Sequence, residues 1–199
     1  AKYNVSREDQ DKMGVESNRR ATEAIKAGKF KEEIVPIQAW KYKKDASGKR
    51  IREAVVFDMD DGVRWPTTVA DLGKLKPAFR AGGSVTAGNS SQMTDGAAFA
   101  LIMTAEKAKA LGLKPLAKMT VFAVAGCAPE EMGIGPAVAI PKALKLAGLT
   151  ANDIDLFEIN EAFAAQAIAS CRTLGIEERY WKGDINPNGG AIALGHPLG

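Results

Sequence analysis

The pattern of polar and apolar positions changes texture near residue 94. Before it, Ser6 followed by Asp9 resembles a capping box with aspartate in place of glutamate. The good helix formers that follow run to Gly28, a natural stop, so the pattern predicts a helix over about 7–27. Glu33–Tyr42 and Ile51–Phe57 are β-prone segments joined by the polar stretch 44–49, which predicts a hairpin. Thr68 and Asp71 mark a second helix start and place a short helix before Pro77. Beyond residue 94, Ala97–Met103 is a continuous apolar run such as a strand covered on both faces shows, and a helical Ala105–Leu111 closed by Gly112 follows it. Leu116–Ala125 then reads as a strand, Pro136–Ala147 as a helix ended by Gly148, Ile154–Ile159 as a strand and Glu161–Leu174 as a helix. A small α+β region followed by such alternation predicts a layered α/β core.

Composition narrows the class. With 46% hydrophobic and 26% charged residues, the chain has the balance of a folded globular protein, and disorder is excluded. The 27 basic against 24 acidic residues leave +3, too small an excess to argue for nucleic acid, and the basic residues are scattered; the mild excess suits an anionic ligand. Cys127 and Cys171 have no CxxC spacing and no histidine partner, so neither a disulfide framework nor a metal site is expected, and a reducing compartment is the natural setting. No apolar run reaches the ~20 residues of a membrane helix. The start AKYNVSREDQ carries neither a signal-peptide core nor an initiator methionine, and GHPLG closes no element, so the chain reads as an internal fragment.

Three places could carry chemistry. In Asp155–Ala164 an apolar strand runs into a helix with Asn160 at the junction. The amide there either caps the helix, with Glu161 favouring the positive end of its dipole, or holds a water or substrate oxygen at the carboxyl end of a strand. In Asn186–Gly199, four glycines and the proline after His196 set the backbone, so the only histidine of the chain sits at a stiff corner. It is either structural or a general base suited to neutral pH. The loop Thr86–Ala97 lacks the lysine of a Walker loop and the GxGxxG spacing; it is either a hydrogen-bonded connection or a polar lining for a long ligand.

In their order along the chain, GNSSQMTDGAA, MGIGPAVAIPKAL, DLFEINEAFAAQA and NPNGGAIALGHPLG resemble the thiolase family, as do VSREDQD and GKFKEEIVPI near the start. MGIGPAVAIP and NPNGGAIALGHPLG look most like peroxisomal 3-ketoacyl-CoA thiolases, with acetoacetyl-CoA thiolases close behind. The resemblance implies an α/β thiolase fold, a layered α-β-α-β-α core with an inserted α+β loop domain, incomplete at both ends. It divides the chain into a loop domain (1–93), a returning part of the N-terminal core domain (94–114) and a truncated C-terminal core domain (115–199).

The implied activity is thiolytic cleavage of 3-ketoacyl-CoA through an acyl-cysteine in fatty-acid β-oxidation, or the reverse condensation. His196 matches the histidine that activates the nucleophilic cysteine and donates to the thioester oxygen. Asn160 matches the asparagine that holds the water completing that oxyanion hole. Neither Cys127 nor Cys171 matches the reactive cysteines, so both are assigned to structure and the fragment alone is expected to be inactive. Arg64, Ser91, Met132 and Phe163 match the path of the coenzyme, with Leu75 and Phe79 as apolar walls; Asp71 stands where related enzymes often carry a hydroxyl. The resemblance further implies coenzyme A as substrate with no permanent cofactor or metal, no nucleic-acid or membrane partner, a homodimer or homotetramer, and a peroxisomal, mitochondrial or cytoplasmic setting. The rival readings are an acetyl-CoA C-acetyltransferase, a non-catalytic acyl-CoA-binding protein of the same fold, and a decarboxylating condensing enzyme, which would need a second catalytic histidine.

Overall fold

A computed structural model describes residues 2–198. The first element, α1 (Arg7–Lys26), begins with a complete capping box: Ser6 Oγ accepts the Asp9 N–H while the Asp9 carboxylate accepts the Ser6 N–H. Its inward face carries Met13, Ser17, Ala21 and Ala24, a helical stripe, together with buried Gln10, Asp11, Asn18 and Arg20. Those polar side chains are held by specific partners. Asn18 Nδ2 donates to the Gly14 carbonyl, Asp11 accepts from Arg7 and Asn89, and Arg20 donates to the carbonyls of Tyr180, Ile185 and Asn186.

The hairpin forms with β1 (Ile37–Lys44) antiparallel to β2 (Arg50–Phe57), in a register running from Ile37 opposite Phe57 to Lys44 opposite Arg50. It lies later in the chain than the pattern predicted. Pro36 has no N–H to give a ladder, so residues 33–36 stay outside it, and Asp45 closes the turn by accepting from Ser47 and Lys49, which lets pairing reach Lys44. Helix α2 (Val69–Gly73) is capped by Thr68, as its sequence predicts.

After α2 come α3 (Ala105–Ala110), a 3-10 turn (Pro129–Ile134), α4 (Gly135–Ala147), α5 (Ala164–Thr173), α6 (Glu177–Lys182) and α7 (Ala191–Leu194). The core gathers Ala164, Ala167, Ile168 and Cys171 of α5 against Met13 of α1, Phe157, Ile159, Ile176, Tyr180, Ile185 and Ile192. The predicted strands Ala97–Met103 and Leu116–Ala125 form no ladder among the described residues. Most of their side chains are open to solvent, with Phe99 98% and Leu116 104% exposed. A strand exists only through a neighbouring strand that takes its N–H and C=O groups, and among the described residues no strand pairs with either run. Residues 154–159 keep a remnant of the predicted strand: Phe157 bridges Ile185 in parallel, with the Phe157 N–H on the Asp184 carbonyl and the Asn186 N–H on the Phe157 carbonyl.

Candidate active site

The ladder between 157 and 185 is continued by a side chain. Asn186 Oδ1 accepts the Ile159 N–H at 2.8 Å and Nδ2 donates to the Ile159 carbonyl at 2.7 Å, so the amide imitates one more strand residue. The next residue, Asn160, therefore leaves the core at a fixed point and is exposed. Helix α5 starts only at Ala164, whose N–H is taken by the Asn89 carbonyl, and the Phe163 N–H is met by Gln166 Oε1. The capping role open to Asn160 in the sequence thus falls away: it stands before the helix, and its amide nitrogen lies 3.0 Å from His196 Nε2.

His196 reaches that position from the opposite direction. The one-turn helix α7 ends at Gly195, whose φ of +94° belongs to the left-handed region that a side chain resists. A Cβ on Gly195 would collide with Thr94 Oγ1, and one on Gly96 would lie 2.7 Å from Pro197 Cγ. The residues on both sides of His196 are therefore packed against 94–96, while its ring remains exposed. With the Asn160 amide as donor, Nε2 is the acceptor and the ring proton sits on Nδ1.

Glu161 is completely buried and does not act on the α5 dipole as the sequence implied. Oε2 accepts from Ser17 Oγ (2.6 Å) and the Ile192 N–H (3.4 Å), and Oε1 accepts from Asn186 Nδ2 (2.9 Å) and Tyr180 OH (3.3 Å). Burial pushes its carboxyl above the ordinary glutamate range, and the four donors pull the other way.

Of the residues matched to the coenzyme path, Phe79 and Phe163 are in ring contact with each other, edge to face with centroids 6.0 Å apart. Ser91 is half-buried and its N–H donates to the Ala162 carbonyl, beside the bridge between Ser90 and Phe163. Leu75 packs near Gly88, where an added Cβ would lie 2.7 Å from Leu75 Cδ1. Arg64 has its backbone N–H held by Asn18 Oδ1 at 2.7 Å and its side chain exposed, and Met132 is exposed on the 3-10 turn. Asp71 is occupied locally by Thr68 and Lys74, which hold its carboxyl below the usual aspartate range. Thr86 and Asn89 are fully buried and bonded to each other, to Asp11 and to Ser84, so this end of the polar loop is a structural connection.

Of the two cysteines, Cys171 is buried in the core with its thiol pushed up to about 12 by desolvation, then by Glu177 and Glu161. Cys127 is exposed, its Sγ facing the Glu131 and Met132 carbonyls at 3.6 and 3.9 Å, so packing does not account for it. The residues that sequence reasoning left without a role are Glu161 as an anchor, Asn186 and Ser17. Asn186 stood inside a quoted motif, and its φ of +49° is a conformation asparagine tolerates better than most residues.

The sequence, laid against known protein families, matches the thiolase N-terminal domain over residues 1–106 and the thiolase C-terminal domain over 113–199. The chain is a member of the thiolase family. It is 56% identical over 198 residues to "3-ketoacyl-CoA thiolase" of Bacillus subtilis (strain 168), covering 100% of this chain and 50% of that protein. It is 50% identical over 198 residues to "3-ketoacyl-CoA thiolase B, peroxisomal" of Rattus norvegicus, covering 100% and 45%. A crystal structure of the Bacillus anthracis acetyl-CoA acetyltransferase superposes with a TM-score of 0.88 at 43% identity, over 99% of this chain and 47% of the other. The α/β thiolase fold expected from the sequence is thereby established, and the chain spans about half the length of the relatives it matches.

Proposed function

We propose that the protein carrying this thiolase chain is an acyltransferase that cleaves 3-ketoacyl-CoA to acetyl-CoA and a shortened acyl-CoA in fatty-acid β-oxidation. The observation that carries this reading is the 3.0 Å approach of Asn160 Nδ2 to His196 Nε2, two groups 36 residues apart in sequence. On this reading, a cysteine supplied from outside residues 1–199 loses its proton to Nε2 and attacks the 3-keto carbon. The C2–C3 bond breaks, and its electron pair leaves on acetyl-CoA as an enolate that takes its C2 proton from a second cysteine, also supplied from outside residues 1–199. A second coenzyme A gives its thiol proton to that second cysteine, now a thiolate, and displaces the first cysteine from the acyl thioester; the first cysteine takes back the proton held on Nε2. The protonated Nε2 and a water held by Asn160 are the donors that an enolate oxygen requires.

The thioester stabilises the carbanion, so the reading needs no metal or redox cofactor. Arg64, Leu75, Phe79, Ser91, Met132 and Phe163 are assigned to coenzyme A. The edge-to-face pair of Phe79 and Phe163 and the exposed guanidinium of Arg64, whose planar charge suits phosphate or adenine, support this. The exposed apolar runs 97–103 and 116–125 support a division into a loop domain (1–93), a returning core segment (94–114) and a second core domain (115–199). Their strand neighbours then lie outside this chain. A homodimer or homotetramer and a peroxisomal compartment complete the reading, the compartment resting on the names of the rat and Arabidopsis thaliana relatives. A second reading, an acetyl-CoA C-acetyltransferase, is favoured by the 49% identity to "Acetyl-CoA acetyltransferase" of Chromobacterium violaceum.

The test is thiolysis by the whole protein of acetoacetyl-CoA and of a long-chain 3-ketoacyl-CoA. Turnover of both, abolished by His196→Ala, is expected; turnover of acetoacetyl-CoA alone selects the second reading. Activity of residues 1–199 by themselves would overturn the assignment of the nucleophile.

A further inference from the structure

A single buried carboxyl group is bonded into the elements that carry both halves of the Asn160 and His196 pair. Glu161 follows Asn160 directly in the chain, and Oε2 accepts the Ile192 N–H in the first turn of α7, the helix whose far end delivers His196. No side chain caps α7 from its own N-cap, Gly190, so Glu161 supplies that cap from another element. The space is cut to fit, because a Cβ at Gly190 would collide with the Glu161 carboxyl group. Ser17 of α1 closes the arrangement: its hydroxyl donates to Oε2 at 2.6 Å and accepts the Gly190 N–H at 3.1 Å. At the other oxygen, Asn186 joins Glu161 to Ile159, the last buried residue before Asn160. The four-residue α7 rises about 6 Å from the carboxylate to Gly195.

We propose that Glu161 is a positioning residue for the reaction, fixing the distance between Asn160 and His196 by tying the Asn160 corner to the N-terminus of α7, with Ser17 and Gly190 as its supports. This deepens the thiolase reading and rests on it for the kinetic consequence, whereas the geometric consequence stands alone. Misplacement of reacting groups by about 1 Å costs about 10²-fold in rate, which sets the scale expected.

The experiment uses the whole protein and three variants, Glu161→Gln, Gly190→Ala and Ser17→Ala, each read by crystal structure and by steady-state thiolysis corrected for the folded fraction. Gln keeps the volume but presents an amide nitrogen to two of the four donors. The expected result is separation of Asn160 Nδ2 and His196 Nε2 beyond hydrogen-bond distance, with kcat lowered about 10–100-fold and KM for the acyl-CoA within about two-fold of wild type. Where Glu161→Gln does not fold, Gly190→Ala and Ser17→Ala carry the same expectation. An unchanged contact with wild-type kcat per folded molecule overturns the proposal, as does a loss of thermal stability alone. A lost contact in a protein whose His196→Ala variant retains full activity sustains the geometric role and refutes the thiolase reading instead.

Discussion

Asn160 Nδ2 faces His196 Nε2 at 3.0 Å, the amide donating and the imidazole nitrogen accepting, which puts the ring proton on Nδ1. On the proposed reading, it is in this state that His196 takes a proton at Nε2. Once it has done so, Nε2 becomes a donor and the Asn160 amide must release it, leaving both groups free to face a developing negative oxygen.

This exchange predicts different losses for two substitutions at one position. Asn160→Ala removes one donor from an oxyanion site and is expected to slow the condensation half-reaction by about 10²–10³ while acyl transfer is less affected. Asn160→Asp puts an acceptor opposite Nε2, draws the ring proton to that nitrogen and removes the base, so acyl transfer falls as well. Rapid-quench measurement of acyl-enzyme formation beside steady-state condensation separates the two. Equal losses in both half-reactions for the alanine variant would leave Asn160 without an oxyanion role.

Gly195→Ala is expected to destabilise the chain by about 1–3 kcal/mol, because φ of +94° is unfavourable for alanine and the new Cβ meets Thr94 Oγ1. Ala193→Gly at the neighbouring helical position tests the opposite change, a gain of backbone freedom without a clash, costing about 1 kcal/mol. Urea unfolding of both variants checks the order; a smaller loss at Gly195 than at Ala193 would mean that the contact with 94–96 does not hold His196.

Much of this was legible in sequence wherever local chemistry decides the outcome. Ser6 with Asp9, Thr68 and the glycine stops gave α1, α2 and the end of α4 because caps and turns need only neighbouring residues. The motif order gave His196 and Asn160, and the structure brings them together. The apolar runs 97–103 and 116–125 have the composition of buried strands, yet a strand is completed by its partners, and sequence cannot say whether these are present. Glu161 was misplaced because a carboxylate beside a helix start invites a dipole reading. Its actual partners, Ser17, Tyr180, Asn186 and Ile192, are separated from it by up to 144 residues and become visible only in the folded chain.

The two cysteines are expected to differ sharply toward a thiol reagent. Cys171 is buried with its thiol raised to about 12, and only the thiolate reacts, whereas Cys127 is exposed. Brief maleimide treatment of residues 1–199 at neutral pH should therefore label one cysteine, shown by peptide mapping to be Cys127, and both in denaturant. Native labelling at Cys171 would mean that α5 opens readily from the core.

The buried Glu161 carboxyl also predicts a pH dependence of stability whose sign is fixed. Its folded value lies above the ordinary glutamate value of 4.5, chiefly through desolvation. As pH rises past 4.5, the unfolded chain releases this proton while the folded chain retains it, so the stability that Glu161 contributes is full below 4.5 and declines until the folded value is passed. Glutamine does not titrate. The difference in unfolding free energy between wild type and Glu161→Gln should therefore shrink as pH is raised from about 4 to about 8. Urea titrations across that range measure it, with all other groups common to both proteins. A difference that grows with pH would show that the donors from Ser17, Asn186, Tyr180 and Ile192 outweigh desolvation and hold Glu161 ionised.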